Sequence, residues 1–112
     1  MSPITTHVLD TSLGRPAVGV AAALEWQAPD GSWSVLGRGV TDADGRIRDL
    51  LHGPLEAGTF RLTFDTGAYF RAQGKTGFYP TVPIVFQIGD AGQHHHVPLL
   101  LSPFGYSTYR GS

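Results

Sequence analysis

Histidines are the residues of this sequence whose type and spacing could support acid–base or metal chemistry. His7 lies in "THVLD", and three consecutive histidines, His94, His95 and His96, lie in "QHHHVPLLLSP". On an extended strand alternate side chains share a face, which places His94 and His96 together and His95 on the opposite face. Imidazole titrates close to neutral pH and also binds zinc, so the same-face pair could serve either chemistry.

The metal interpretation is the weaker of the two. A zinc site needs a third ligand and usually a partner that orients each histidine. The chain has no cysteine, and a carboxylate ligand would have to come from elsewhere in the sequence. We therefore predict no metal site, and a metal-binding module through His94 and His96 remains only a third alternative. His52 has no neighbouring partner and is predicted to lie in a loop, and a lone histidine such as His7 is more often structural than functional.

The segment "TDADGRIRDL" offers both acidic and basic side chains around a glycine. Asp42 and Asp44 resemble a calcium loop only superficially, because Gly45 comes too early and the bidentate glutamate is missing. A hairpin turn explains the segment better. Arg46 and Arg48 follow the turn and share a strand face by alternation, so spacing alone does not choose between them as site residues.

Short β-strands must position these side chains. Fifteen glycines and eight prolines separate short runs rich in Val, Leu, Ile, Phe and Thr, which is typical of an all-β sandwich. The segment "DTGAYFRAQG" begins with capping residues and stops at glycine, which predicts one short helix near 66–73. We predict about eight strands, namely Ile4–Asp10, Val18–Gln27, Trp33–Thr41, Arg46–Asp49, Gly58–Asp65, Val82–Ile88, His94–Leu101 and Gly105–Tyr109.

Length and composition limit the class of protein. A chain of 112 residues predicts a single domain over 1–112. Only 15% of the residues are charged, which indicates that other subunits cover part of the surface. The net charge of -1 predicts no nucleic-acid or membrane partner. The first residues carry no basic, apolar leader and no run reaches the length of a membrane span, so we expect a cytoplasmic protein.

Three segments together resemble the transthyretin-related family, specifically its 5-hydroxyisourate hydrolases. They are "ITTHVLDTSLGRPA" near the start, "TDADGR" in the middle and "HVPLLLSPFGYSTYRGS" at the end. The resemblance covers the whole chain, including "GTFRLTFDTGAYF" and "FYPTVPIVF". The final "YRGS" is its most specific element, since transthyretin, the hormone carrier, shares the fold and much of "LLSPFGYST" but not that ending.

Carried over position by position, the resemblance implies a set of site residues. It chooses Arg46 over Arg48, and its one departure is His95, where family members commonly have tyrosine on the face away from the site. The set comprises catalytic His7, Arg46, His96 and Ser112, and substrate-binding Arg46, Ser107, Tyr109 and Ser112.

The resemblance also implies an assembly and an activity. The implied fold is a transthyretin-like two-sheet β-sandwich, assembled as a homotetramer (a dimer of dimers) with its sites in the channel between the dimers. The implied activity is hydrolysis of 5-hydroxyisourate to 2-oxo-4-hydroxy-4-carboxy-5-ureidoimidazoline in urate catabolism, without a cofactor. The alternative is a non-catalytic carrier of a small ligand on the same fold, but two histidines and an arginine would make its channel too polar for an apolar ligand.

Overall fold

The computed structural model describes residues 2–112, whose backbone forms nine strands and one short helix. The predicted all-β class with one helix is confirmed. In chain order the elements are β1 Ile4–Asp10, β2 Arg15–Pro16, β3 Ala21–Gln27, β4 Trp33–Val40, β5 Arg46–Ile47, β6 Gly58–Phe64, α1 Thr66–Ala72, β7 Val82–Ile88, β8 His95–Ser102 and β9 Gly105–Thr108.

The strands form two sheets that pack face to face. Sheet 1 has the order β2–β1–β8–β9, and β5 pairs with β1 on the same side as β2. Sheet 2 has the order β4–β3–β6–β7. All of these pairings are antiparallel except that of β1 with β8, which is parallel over seven residue pairs from Ile4 opposite His95 to Asp10 opposite Leu101.

The core lies between the sheets and follows from alternation along each strand. The core-facing sides of β3, β6 and β7 are apolar, whereas no residue of β4 is buried. Strands β1 and β8 contribute Ile4, Val8, Val97, Leu99 and Leu101. Each fully buried large side chain contributes roughly 1.5–3 kcal/mol of burial free energy. The largest of these side chains are Phe60, Phe64, Phe70, Ile4, Leu24, Leu50, Leu62, Leu99 and Leu101.

Helix α1 is fixed to the end of β1 by a buried hydrogen bond. Asp65 caps the helix by accepting from the amide of Ala68, and the Tyr69 hydroxyl donates to the Asp10 carboxylate at 2.7 Å. Burial alone would raise the pKa of Asp10, but hydrogen bonds from Ser12 and Tyr69 outweigh burial and lower the pKa. Burial and the bond to Asp10 raise the pKa of Tyr69 to about 12. The last residue of β1 is therefore held firmly from the helix side.

Most predicted strand bounds are close to the observed ones, and the differences have local causes. β1 and β7 have the predicted bounds. β3 begins at Ala21 rather than Val18, because the Thr41 hydroxyl accepts from the amide of Val20 and donates to the carbonyl of Ala17 in place of a strand ladder. β5 ends at Ile47 instead of the predicted 49, and the two-residue β2 is too short for alternation to reveal. Within residues 2–112, no helix is long and apolar enough to cross a bilayer.

Candidate active site

Three strands bring the predicted catalytic side chains to the outer face of sheet 1. On β1 the core-facing residues include Ile4 and Val8, so His7 faces outward and is half-buried. In the strand register His7 lies opposite Arg46 of β5 and next to the pair that Thr5 forms with His96 of β8. The structure therefore places His7, Arg46 and His96 on neighbouring strands of one surface.

The turn before β5 is built so that Arg46 arrives opposite His7. The Asp42 carboxylate accepts from the amides of Asp44 and Arg46 at 2.9 and 3.0 Å, which closes the turn. Gly45 has a φ of 74°, and a Cβ there would lie 2.5 Å from the carbonyl oxygen of Val8. Because the Gly45 carbonyl accepts from the amide of Val8 at 2.8 Å, the turn is tied directly to β1.

Arg46 and Arg48, which sequence alternation did not separate, have different environments. β5 ends between them, and the guanidinium of Arg48 turns back to the Asp42 carboxylate at 2.6 Å, with 55% of its side chain exposed. The half-buried Arg46 forms no ion pair with any carboxylate of residues 2–112. Arg48 therefore stabilises its own turn, whereas the charge of Arg46 is available to a ligand.

The hydroxyl of Thr5 links two of the three consecutive histidines. Its Oγ1 atom lies 2.8 Å from Nδ1 of His96 and 3.0 Å from Nε2 of His94. The two imidazole rings are stacked, with centroids 6.4 Å apart and planes 18° apart. Thr5 is 9% exposed, so this contact is nearly shielded from water on its side of the strand.

Electrostatics favour the neutral form of His96. Burial lowers the pKa of His96, and the neighbouring Arg46 cation and His7 lower it further. Within residues 2–112 the Nε2 atom of this ring has no hydrogen-bond partner, and it is not a fully buried atom. A neutral imidazole with one nitrogen held and the other open is the form that a general base requires.

His95 faces the interior, as alternation predicts. It is 6% exposed, and its Nδ1 atom lies 2.9 Å from the backbone carbonyl of Gln93. The one predicted departure from the family pattern, His95, thus falls between the sheets and leaves the outer face unchanged.

The C-terminal tail packs against the ring of His96. The amide of Gly111 donates to the His96 carbonyl at 2.8 Å, and Arg110 donates to the side chain of Gln93 at 2.8 Å. A Cβ on Gly111 would lie 2.6 Å from Cδ2 of His96 and 3.2 Å from Cγ of Pro98. Only glycine fits this contact without moving the imidazole or the tail.

The remaining predicted site residues form no hydrogen bond with the site histidines within residues 2–112, although Tyr109 lines a cavity of about 210 Å³ together with His96. Ser107 lies opposite Leu100, which shares the outer face with His96, and alternation adds Tyr109 to the same face. Within residues 2–112 the side chains of Ser107, Tyr109 and Ser112 form no hydrogen bond with His7 or His96. The structure therefore brings together His7, Arg46 and His96 and places Tyr109 beside His96. Ser107 and Ser112 form no hydrogen bond with these side chains within residues 2–112.

Sequence reasoning missed two residues of this surface, Thr5 and Gly111. The signal for Thr5 was its position two residues before His7, which puts the two side chains on one face. The signal for Gly111 was its position in the "YRGS" ending, but that motif does not indicate that the glycine contacts the His96 ring.

A cavity of about 180 Å³ lies beside the cluster and is lined by Thr5, Thr6, Arg46, Arg48 and His94. In the described part of the chain, no three His, Cys, Asp or Glu side chains are grouped closely enough to hold a metal ion. The surface can therefore offer a base, a fixed guanidinium and a hydroxyl to a polar ligand. Such groups suit a planar, electron-rich molecule and a reaction that moves protons.

Two sheets of this topology, with a cationic cluster on one outer face, define a transthyretin-type β-sandwich protein. Residues 4–111 match the model of the HIUase/Transthyretin family, and the chain belongs to this family.

The relatives of this chain include both 5-hydroxyisourate hydrolases and transthyretins. A 5-hydroxyisourate hydrolase of Mus musculus is 48% identical over 113 residues, which cover 99% of this chain and 96% of the relative. The structure of Klebsiella pneumoniae 5-hydroxyisourate hydrolase has a TM-score of 0.86 and 42% identity, covering 97% of this chain and 98% of that one. Sea bream transthyretin in complex with thyroxine has a TM-score of 0.91 and 38% identity, covering 98% and 95%. Because both kinds of protein share the backbone, the side chains of the site must distinguish enzyme from carrier.

Proposed function

We propose that this protein hydrolyses 5-hydroxyisourate to 2-oxo-4-hydroxy-4-carboxy-5-ureidoimidazoline, a step of urate catabolism. The observation that carries the proposal is the grouping of His7, Arg46 and His96 on one face of sheet 1. The hydrolases named among the relatives support the same activity, at 48% identity for the mouse enzyme and 42% for the Klebsiella enzyme.

The reaction opens a cyclic amide with water and needs three kinds of group. A base takes a proton from water, a cation stabilises the negative charge that develops on the carbonyl oxygen, and an acid protonates the leaving nitrogen. The ring of an activated lactam needs no cofactor for this step.

The environment of each side chain suggests its role. His96 is the base, because its lowered pKa keeps it neutral and its Nε2 atom is open. Arg46 is the cation, because its guanidinium has no carboxylate partner among residues 2–112 and can bind two acceptors of a planar heterocycle at once. His7, on the strand beside both, is then the acid.

A homotetramer, formed as a dimer of dimers with its sites in the central channel, is the second part of this proposal. Strands β7 and β9 end their sheets on the same side of the sandwich, and each leaves one edge without a pairing strand among residues 2–112. A row of exposed aromatic rings lies beside this edge, comprising Phe78, Tyr79, Phe104 and Tyr106. Such an edge and such a patch favour pairing with another copy. Sedimentation at low micromolar concentration tests this, since an active monomer would refute a site between subunits.

The tail residues Ser107, Tyr109 and Ser112 are proposed to bind substrate across the channel. Ser107 and Tyr109 share the outer face with His96, and Tyr109 is 58% exposed. Ser112→Ala should lower activity with little change in melting temperature. A Ser112→Ala protein with full activity would remove the Ser112 hydroxyl from the site.

A non-catalytic carrier is the competing function, and the similarity to a thyroxine-bound transthyretin is the observation in its favour. The deciding experiment is ultraviolet monitoring of freshly made 5-hydroxyisourate with and without the protein. Because the substrate also decays unaided, the rate above background is the measured quantity. Hydrolysis that scales with protein concentration supports the enzyme, and a rate equal to the background supports the carrier.

A further inference from the structure

Thr5 contacts two imidazoles with a single hydroxyl, which restricts how protons can be arranged. A threonine hydroxyl has one proton to donate and lone pairs that accept. It cannot donate to His94 and to His96 at the same time, although its Oγ1 lies within hydrogen-bond distance of both rings. At least one ring must therefore donate an N–H to Thr5, and the other either accepts the threonine proton or also donates to a lone pair of Thr5.

Three arrangements of neutral rings satisfy this count. In the first, His94 donates from Nε2 to Thr5, Thr5 donates to Nδ1 of His96, and the proton of His96 resides on its open Nε2. In the second, His96 donates from Nδ1, Thr5 donates to Nε2 of His94, and Nε2 of His96 carries a lone pair. In the third, both rings donate to the lone pairs of Thr5, and the hydroxyl proton has no acceptor within residues 2–112. A base needs a lone pair on Nε2 of His96, and the second arrangement supplies it while giving the threonine proton an acceptor, so this step rests on the proposed function.

We propose that Thr5 is a positioning residue that holds His96 in its Nδ1–H tautomer and connects it to His94 as a proton relay. When Nε2 of His96 takes a proton from water, the Nδ1 proton of His96 passes to Thr5 Oγ1. The original hydroxyl proton of Thr5 passes to Nε2 of His94. Water has then lost one proton, Thr5 and His96 are neutral again, and the added positive charge is on His94, which releases the proton to solvent.

The surroundings of the two rings give the relay its direction. His96 is half-buried, and the charged and titratable groups near it are His7 on β1, Arg46 on β5, His94 before β8, and Tyr109 and Arg110 in the tail. Burial and the basic groups Arg46, His7 and His94 oppose a full positive charge on His96. His94 is exposed, and water can solvate its charged form. Moving the charge from His96 to His94 therefore moves it towards solvent.

The tautomer is measurable without any substrate. Nitrogen-15 NMR of the wild-type protein above neutral pH should show His94 and His96 both protonated on Nδ1. In Thr5→Val the preference of His96 for Nδ1–H should disappear, while in Thr5→Ser it should remain. A wild-type His96 protonated on Nε2, or a Thr5→Val protein with unchanged tautomers, would overturn the proposal whatever the protein hydrolyses.

Kinetics test the relay itself. Partners that fix the tautomer of a working histidine typically contribute about 10–100-fold, so Thr5→Val should lower kcat by that factor and Thr5→Ser should restore most of it. Thr63→Val is the matched control, because it makes the same change on the outer face of sheet 2 and its hydroxyl has no hydrogen bond within residues 2–112. Its kcat should equal that of the wild type.

A double-mutant cycle distinguishes a proton relay through Thr5 from a role of Thr5 that only orients the His96 ring. If the proton passes through Thr5 to His94, then Thr5→Val with His94→Gln should be no slower than the worse single variant. Losses that multiply would show that the two residues act independently, and the relay would be wrong. Circular dichroism identifies any variant that fails to fold. If Thr5→Val fails, the tautomer test rests on the His96 tautomer in the wild type and in Thr5→Ser.

Discussion

The outer faces of the two sheets both present arginine, but they use the charge differently. On sheet 2 the guanidinium of Arg61 donates twice to the Glu25 carboxylate, at 2.9 and 3.0 Å, and stacks 4.3 Å from the centroid of the Trp33 ring. On sheet 1 Arg46 has two histidines beside it and, among residues 2–112, no carboxylate partner. Arg61 is therefore a paired charge, whereas Arg46 belongs to a group of basic side chains without a carboxylate.

The difference shows how a charge can be recognised as functional. A guanidinium with a bidentate carboxylate and an aromatic ring already has its hydrogen bonds satisfied, so it stabilises the fold and has little left for a ligand. A half-buried guanidinium without a carboxylate partner is costly for the folded chain and gains from an electron-rich ligand. We therefore expect changes on sheet 1 to affect activity and changes on sheet 2 to affect stability.

The largest effect should come from the histidines of sheet 1. Replacing His7 or His96 with asparagine should lower kcat by about 10²–10⁴-fold, which is the usual contribution of a general acid or base. His52→Asn, in an exposed loop, is the control and should keep wild-type rates. A His96 variant within twofold of wild type would contradict the assignment of the base.

The dependence of wild-type kcat/KM on pH tests the assignment of His96 as the base without a mutation. A base acts only in its neutral form, so kcat/KM should fall as the pH drops through the pKa of His96. Because that pKa is lowered, the fall should occur below the ordinary imidazole value of about 6.5. A decline that starts above that value would indicate a different base.

The next effect should distinguish the two arginines of the "DADGRIR" segment. Arg46→Lys removes the planar fork and leaves a point charge, so kcat/KM should fall by about 10²–10³-fold, as for loss of an oxyanion donor. Arg48→Lys keeps an ion pair with Asp42 and should leave the rate nearly unchanged. Equal losses in the two variants would show that Arg46 has been wrongly assigned as the functional arginine.

A smaller loss is expected where the tail meets the imidazole. Gly111→Ala places a methyl group 2.6 Å from Cδ2 of His96, so either the ring or the tail must move. A displacement of about 1 Å at a catalytic group can cost up to about 10²-fold in rate, while few buried contacts are lost. Gly89→Ala is the control, since its Cβ would meet no atom within 4 Å. An unchanged kcat for Gly111→Ala would show that the tail does not position His96.

The smallest effect should be on sheet 2 and should leave the rate untouched. Arg61→Lys loses one of the two hydrogen bonds to Glu25 and the contact with Trp33, which should lower the free energy of unfolding by about 0.5–1 kcal/mol. Arg38→Lys changes an exposed arginine of the same sheet that has no ion pair among residues 2–112, and should cost less. Urea denaturation measures both. A change in kcat for Arg61→Lys would contradict the expectation that sheet 2 affects only stability.

Alternation along single strands predicted much of the site. It separated His94 and His96 from His95, because the period of a strand is the same whatever it pairs with. Which face of β1 His7 occupies became clear only from the burial of Ile4 and Val8. The strand bounds of β1 and β7 followed from the turn residues that flank them. The family resemblance added the choice of Arg46, which spacing could not make.

Contacts between strands could not be read from the sequence. Thr5 meets His94 and His96 only because β1 pairs with β8 in parallel and in one register, and neither strand specifies that register alone. The contact of Gly111 with the His96 ring depends in the same way on where the tail crosses β8. The roles of Ser107, Tyr109 and Ser112 remain predictions, since a partner subunit would have to supply the missing contacts.

The parallel pairing of β1 with β8 also sets the order in which the molecule can form. Thr5 and His96 are 91 residues apart, and closing a loop of that length costs about 4 kcal/mol of chain entropy. Sheet 2 is built from strands that are much nearer to one another in the chain, within residues 21–88. We expect its amides to gain protection first in pulse-labelled hydrogen exchange during refolding, with β1 and β8 following; simultaneous protection would contradict this order. A nascent chain would accordingly form sheet 2 before its site is complete, and His7 would lack His96 as a neighbour until β8 had been synthesised.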